Sequence, residues 1–271
     1  MAGVKLAHEL LNSNAIKLSI EPENLSKLVT LDVFDSINST NTYLLECAKS
    51  GMKSGSVCFA EQQSQGRGRH GKNWFSPRGA NIYCSVLWFF ENDQKFLAAL
   101  SLAIGVIVAR VLKKYDVNAG IQLKWPNDIL FTGRKLGGVL LESSPLQNNN
   151  LAMVIGIGLN MSFENVSPDP AWIDLHEITN RPPARNYFAG LLVNELIAGL
   201  SVYQQRGFAA FADEWRSLNF MAGKSVVVKV GEEEISGVME GINLSGELLL
   251  RLVDEKLLVF QCGEVSLRVV G

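Results

Sequence analysis

Two textures meet at Met221, and no single layer of structure accommodates both. After it come five short apolar runs, at 226–230, 234–241, 247–252, 257–261 and 265–269, separated by Gly231, Ser245-Gly246 and Asp254-Glu255. Short strands punctuated by turn residues in this way predict a small closed or nearly closed β-barrel of the SH3-like kind. Before Met221, strand-like runs alternate with helix-length segments. The chain is 271 residues long, slightly under two domains at roughly 150 residues each. The reading is α+β: a catalytic-sized body over 1–220, built on a mixed, largely antiparallel sheet with helices, and a β appendage over 221–271.

Within the body, strands are expected at 29–34, 56–60, 81–90, 121–124, 129–131, 135–142 and 151–159. Ser39-Thr40-Asn41 is a helix-start signal, with a stop at Gly51. Longer helices are expected at 94–115, 184–205 and 208–218. Leu6, Leu10 and Leu11 imply a short helix near the start, and residues 21–24 a turn. Residues 161–183 hold four prolines and read as a long loop with a short helix near Trp172. Loops of that length in compact domains are usually functional.

The most apolar run, 97–109, is interrupted by Ser101 and followed by Arg110. It is too short for a bilayer, which needs about 20 residues, so it is a core helix. Residues 1–20 lack a signal-peptide core. The four cysteines show no C-x-x-C and the three histidines no metal-site spacing, so no metal centre is expected. A cytoplasmic protein with no membrane partner follows as the expectation. The formal charge is −2, which argues against nucleic acid as a partner.

Net charge hides a concentration of cations. Gln65 to Trp74 carries Arg67, Arg69, His70 and Lys72 among Gly66, Gly68 and Gly71. The spacing fits a dinucleotide fingerprint formally, but that fingerprint must open a helix, and Ser76-Pro77-Arg78-Gly79 stops one. The G-x-x-x-x-G-K pattern ends in Asn73 where a Mg²⁺-binding hydroxyl is required. What the loop allows is closure over a ligand with several anionic groups, since arginine forks grip carboxylate and phosphate. Ordering a dozen residues costs on the order of 10–20 kcal/mol, so such a loop is expected to order over its ligand. Surface loops with incidental charges are the bland alternative.

Three further constellations accompany it. In Lys124-Trp125-Pro126-Asn127-Asp128 the proline sets Lys124 and Asp128 on either side of a rigid turn. Arg134-Lys135-Leu136-Gly137-Gly138 opens a strand with two cations. Gly156-x-Gly158-x-Asn160 ends an apolar strand, and its glycines permit close approach of something flat.

Together these segments, with Glu61-x-Gln63-x-x-Gly66-Arg67-Gly68-Arg69, resemble the biotin protein ligase family, and the likeness runs from about Phe34 to Arg268. The resemblance implies two steps: biotin and MgATP give biotinyl-5′-adenylate, and a lysine of a biotin carboxyl-carrier protein then takes the biotinyl group. It places Ser39, Thr40, Asn41, Gln63, Gly66, Arg67, Gly68, Arg69 and Lys135 at biotin, with Lys124, Asn160, Trp172 and Arg268 at the nucleotide. Arg69, Lys135 and Asp128 are the implied catalytic groups: Lys135 beside the carboxylate and α-phosphate, Arg69 retaining the adenylate, Asp128 orienting or deprotonating the incoming lysine.

His70 departs from the family's commonest loop, which has arginine there, and could make closure pH-sensitive. Bifunctional members carry a winged helix-turn-helix in front, whereas only about 30 residues precede Asp35, so a ligase without repressor function is expected. Exposed edge strands could pair two chains into a homodimer. A lipoate ligase and a biotin sensor acting without carrier labelling are the rival readings.

Overall fold

The structure is a computed structural model that describes residues 9–91, 97–117, 119–146, 150–163, 169–181, 184–261 and 265–269, the side chains of 265, 266 and 269 excepted. Seven strands form its main sheet: β1 (Thr30–Phe34), β2 (Ser56–Ala60), β3 (Asn81–Glu91), β4 (Ile121–Lys124), β5 (Asp128–Phe131), β6 (Arg134–Pro145) and β7 (Asn150–Asn160). Their spatial order is β1-β2-β3-β7-β6-β5-β4. Only β1 and β2 run parallel; every other pairing is antiparallel. The expected mixed, largely antiparallel sheet is the one observed.

Both faces of this sheet are covered, which is why β2 reads as an unbroken apolar run rather than an alternating one. On one face Val57, Ile82, Val86, Ile155 and Ile157 join the main core. The long helices α4 (Leu100–Lys114) and α6 (Arg185–Arg206) pack there. On the other face Cys58, Leu87 and Val154 meet Leu44 and Ala48 of α3 (Thr40–Lys49). Because α3 covers only part of that face, the glycine-bearing end of β7 meets the first turn of α3 at Asn41 and the side chain of Trp74.

The start of the chain departs from expectation. Residues 1–8, which include Leu6, lie outside the described residues, and no helix spans 9–12. The helix instead begins at α1 (Ser13–Lys17), because Asn12 caps it, its side chain accepting from the Asn14 and Ala15 amides. The turn expected at 21–24 is a single helical turn, α2 (Pro22–Leu25), favoured by proline at its first position. The short helix in the proline-rich region is α5 (Leu175–Thr179). Residues 207–218 form not one helix but a 3-10 turn, Gly207–Ala210, and α7 (Ala212–Leu218).

The C-terminal strands are β8 (Ser225–Val230), β9 (Glu233–Ile242), β10 (Leu248–Arg251), β11 (Leu257–Phe260) and β12 (Val265–Val269), in the order β11-β10-β9-β8-β12 and wholly antiparallel. Among the described residues no ladder joins β11 to β12, so the sheet is open where a barrel was expected. β11 and β12 span four and five residues. The sheet packs on the body: Val226, Val228, Met239, Leu248 and Leu250 belong to the main core. Trp125 Nε1 donates to Gly246 O at 3.0 Å.

Candidate active site

The glycine-rich segment is a hairpin. Trp74 N donates to Gly66 O at 2.9 Å and Gly68 N to Lys72 O at 2.7 Å. A 3-10 turn at Arg69–Gly71 forms its tip, with His70 at φ 54°. No α-helix follows it, as the rejected nucleotide fingerprints would need. Gly66 sits against the returning strand: a Cβ there would lie 2.4 Å from Ser76 Oγ and 2.5 Å from Trp74 O. Only glycine fits this approach.

Behind the hairpin lies a cavity of about 490 Å³. Ser39, Thr40, Asn41, Gln63, Arg67, Gly68, Arg69, Lys124, Asp128, Lys135 and Trp172 all line it. Gly66 lies at the root of the hairpin. Residues separated by more than a hundred positions are thus gathered at one place.

One wall is polar and hydrogen-bonded. Gln63 Oε1 accepts from the Thr40 amide at 2.9 Å and lies 3.2 Å from Thr40 Oγ1. Gln63 Nε2 donates to Ser76 Oγ at 3.1 Å. Ser39 is the N-cap residue of α3, so this wall is also the positive end of a ten-residue helix.

The opposite wall is aromatic and cationic. Trp74 and Trp172 stack with centroids 5.5 Å apart and planes at 22°. Lys135 Nζ lies 5.3 Å from the centre of the Trp74 ring and 2.7 Å from Asp128 Oδ1. Trp172 is held there by backbone: Lys135 N donates to Ala171 O at 2.7 Å and Ile173 N to Lys135 O at 2.9 Å. Residues 171–173 thus extend the start of β6. Lys124 and Asp128 stand directly opposite each other across the turn, as the proline implied. Arg69 Nη1 reaches Asn127 Oδ1 at 3.4 Å.

Gly156 and Gly158 do admit flat groups, and both come from this chain. A Cβ on Gly158 would sit 2.5 Å from Trp74 Cε2, and one on Gly156 2.3 Å from Asn41 Oδ1. Buried Trp74 Nε1 has no hydrogen-bond partner. Tyr83, on the cavity floor, donates its hydroxyl to Pro77 O at 2.9 Å. Burial pushes its phenol well above the usual range, so it remains a neutral donor.

Two expected nucleotide residues stand apart from the cavity lining. Asn160 is fully buried, and its amide donates to Lys135 O and Ile173 O, both at 3.1 Å. It joins the strand bearing Lys135 to the segment bearing Trp172, and its Oδ1 has no partner. Arg268 pairs with Glu234 at 2.7 Å and is exposed, while its neighbour Leu267 lines the cavity.

Sequence reasoning did not single out Glu142, whose Oε2 is 2.8 Å from both Asn41 Nδ2 and Arg67 Nη2. Nor did it single out Ser85 and Asp169. Trp74 stood inside the quoted loop, and the glycine alternation at 156 and 158 was the signal that a ring lies against β7.

The sequence profile of the Biotin/lipoate A/B protein ligase family matches residues 33–160. The chain is 36% identical over 263 residues to the Bifunctional ligase/repressor BirA of Escherichia coli K12, covering 96% of this chain and 79% of that protein. It is 33% identical to the Biotin--[acetyl-CoA-carboxylase] ligase of Mycobacterium tuberculosis, covering 87% and 88% of the two. The solved biotin protein ligase from Aquifex aeolicus in complex with biotin and ATP superposes with a TM-score of 0.76 at 27% identity, over 89% of this chain and 99% of that one.

Proposed function

The chain belongs to the biotin protein ligase family, and on that premise we propose how its residues divide the work of activating biotin with ATP and passing it to a carrier lysine. The observation that carries the proposal is the single cavity with a hydrogen-bonding wall at Thr40 and Gln63 facing a cationic, aromatic wall at Lys135, Trp74 and Trp172. A bicyclic urea with a carboxylate tail, laid beside a nucleotide, matches those two walls in turn.

In the first step a biotin carboxylate oxygen bonds to the α-phosphorus of ATP, and the bond to pyrophosphate breaks. No protein nucleophile is required; the barrier lies in bringing anions together, so preorganised cations do most of the work. Lys135 is the group for the carboxylate and α-phosphate, and Asp128 fixes its ammonium. Arg69, at the hairpin tip, closes over the adenylate. In the second step the carrier lysine attacks the carbonyl carbon, AMP leaves, and the amine gives up its proton. Asp128 is the carboxylate we assign to orienting that amine, a role that requires hydrogen-bond reach between the two. Trp172 and Trp74 cover the adenine, with Lys124 nearby. Asn160 acts from behind by holding Lys135 and Trp172 together, and Arg268 reaches the nucleotide only by leaving Glu234.

Among the described residues no group of three His, Cys, Asp or Glu could cage a metal. Mg²⁺ carried in on ATP would bind mainly through phosphates and one or two carboxylates. Asp169 lines the cavity and would be such a carboxylate, and the ion would offset charge on the departing pyrophosphate.

The test is ATP–pyrophosphate exchange with biotin or lipoate, followed by transfer to a carrier domain of acetyl-CoA carboxylase. Biotin-dependent exchange and a labelled carrier are expected. Exchange driven by lipoate alone would replace biotin by lipoate. Tight biotin binding with neither exchange nor label would make the protein a sensor. The homodimer and the division at 220/221 are further proposals, read by sedimentation and by expressing residues 1–220 alone.

A further inference from the structure

Arg67, the first cation of the hairpin, does not face the cavity as a free charge. Its Nη2 is 2.8 Å from Glu142 Oε2, the oxygen that also accepts from Asn41 Nδ2 at 2.8 Å. Asn41 Oδ1 accepts from Ser85 Oγ at 2.6 Å, and Ser85 Oγ is 2.7 Å from Thr40 Oγ1. Thr40 meets Gln63, Gln63 meets Ser76, and Ser76 Oγ donates to Trp74 O at 2.9 Å. The path starts at Arg67, passes through β6, α3 and β3, and ends at Trp74. Those are the two legs of the glycine hairpin.

Proton bookkeeping gives this ring a direction. Three short contacts between oxygens, Ser85–Asn41, Ser85–Thr40 and Thr40–Gln63, share two hydroxyl protons. Asn41 Oδ1 has no proton, so Ser85 donates to it and Thr40 donates to Ser85. The longest contact, to Gln63, is left to the Thr40 amide. Thr40 Oγ1 then presents lone pairs to the cavity, the form that accepts an N–H. Glu142 sets the sequence by fixing the Asn41 amide with its nitrogen toward β6. Asn41 packs directly on Gly156, where a Cβ would lie 2.3 Å from its Oδ1.

We propose that Glu142 is a positioning residue for biotin: it anchors the hairpin through Arg67 and orients Asn41, Ser85 and Thr40 to accept from the ureido N–H. Arg67 is on this view an anchor and not an anion ligand. The inference rests on the biotin reading of the cavity. Its opposite is a competitor, a carboxylate that occupies Arg67 until an anionic substrate takes it away, and the two differ in sign.

The experiment measures biotin and ATP dissociation constants by calorimetry for wild type, Glu142→Gln, Arg67→Gln and the double variant, with melting curves. The strut predicts biotin binding weakened roughly tenfold in Glu142→Gln, the effect of one charged contact, with ATP changed less than twofold. It predicts a double variant no weaker than the weaker single one, because the two residues act through one contact. Tighter or unchanged biotin binding in Glu142→Gln overturns the proposal, as do additive losses. Should Glu142→Gln melt early, half-exposed Arg67→Gln carries the same biotin-against-ATP split alone, and an even loss overturns the strut. Wild-type binding of biotin without pyrophosphate exchange defeats the ligase reading and leaves this comparison intact.

Discussion

Lys135 Nζ on β6 and Asp128 Oδ1 at the start of β5 lie 2.7 Å apart, each side chain about one quarter exposed. The pair gives the cavity a cation whose position is fixed before any ligand arrives. On the proposed division of work Asp128 meets the carrier amine as well as holding Lys135, so the two substitutions should separate. Lys135→Met should reduce biotin-dependent pyrophosphate exchange by about 10²–10³-fold, the usual effect of losing one charge-stabilising donor. Asp128→Asn should lower transfer to the carrier more than exchange. Equal losses in both assays would leave Asp128 only the task of holding Lys135.

Arg69→Gly should let biotinyl-adenylate escape and label bystander lysines, read by blotting a mixture of unrelated proteins with streptavidin. Labelling confined to the carrier would remove the retaining role from Arg69.

Gly158→Ala places a methyl group 2.5 Å from the Trp74 ring. The indole must move, and with it the stack on Trp172. Nucleotide affinity should fall by about tenfold, a loss of one aromatic contact, while Gly156→Ala, against Asn41, should weaken biotin instead. Calorimetry with each ligand checks the assignment.

Arg185 and Glu61 form a buried ion pair at 2.8 Å, 2% and 4% exposed. Arg185 also donates to Glu9 O and Asn81 O, and Leu11 N donates to Glu61. Removing one charge strands the other in the core. Arg185→Met should cost about 3–5 kcal/mol in denaturant unfolding. A change below about 1 kcal/mol would show that the site relaxes or takes up water.

Burial raises the Cys58 and Cys84 thiols far above their ordinary range. In the unfolded chain they ionise at about 8.5, so the unfolded state binds fewer protons above that pH and stability falls as pH rises through it. Alkylation of the native protein at pH 9 should reach half-buried Cys47 before either. Early modification of Cys84 would show that the core opens.

Much of this was legible in the residues because local chemistry was unambiguous. Ser39 announces α3, the 97–109 run announces a core helix, and Lys124 and Asp128 flank a proline turn. The rest depended on which distant partner each group meets. Glu142 lies midway along a strand, and nothing in its neighbours reveals that Arg67, 75 positions earlier, ends beside it. Nor does the place of Asn160 in the sequence reveal that its amide joins Lys135 O to Ile173 O. The five C-terminal strands were readable from their turns, whereas whether their outer edges pair was not, and among the described residues no ladder joins them.

The lining of the cavity includes Leu267 on β12, far along the chain from the cations of the hairpin and both tryptophans. A ribosome that has already made the whole seven-stranded sheet has therefore not yet made a finished pocket.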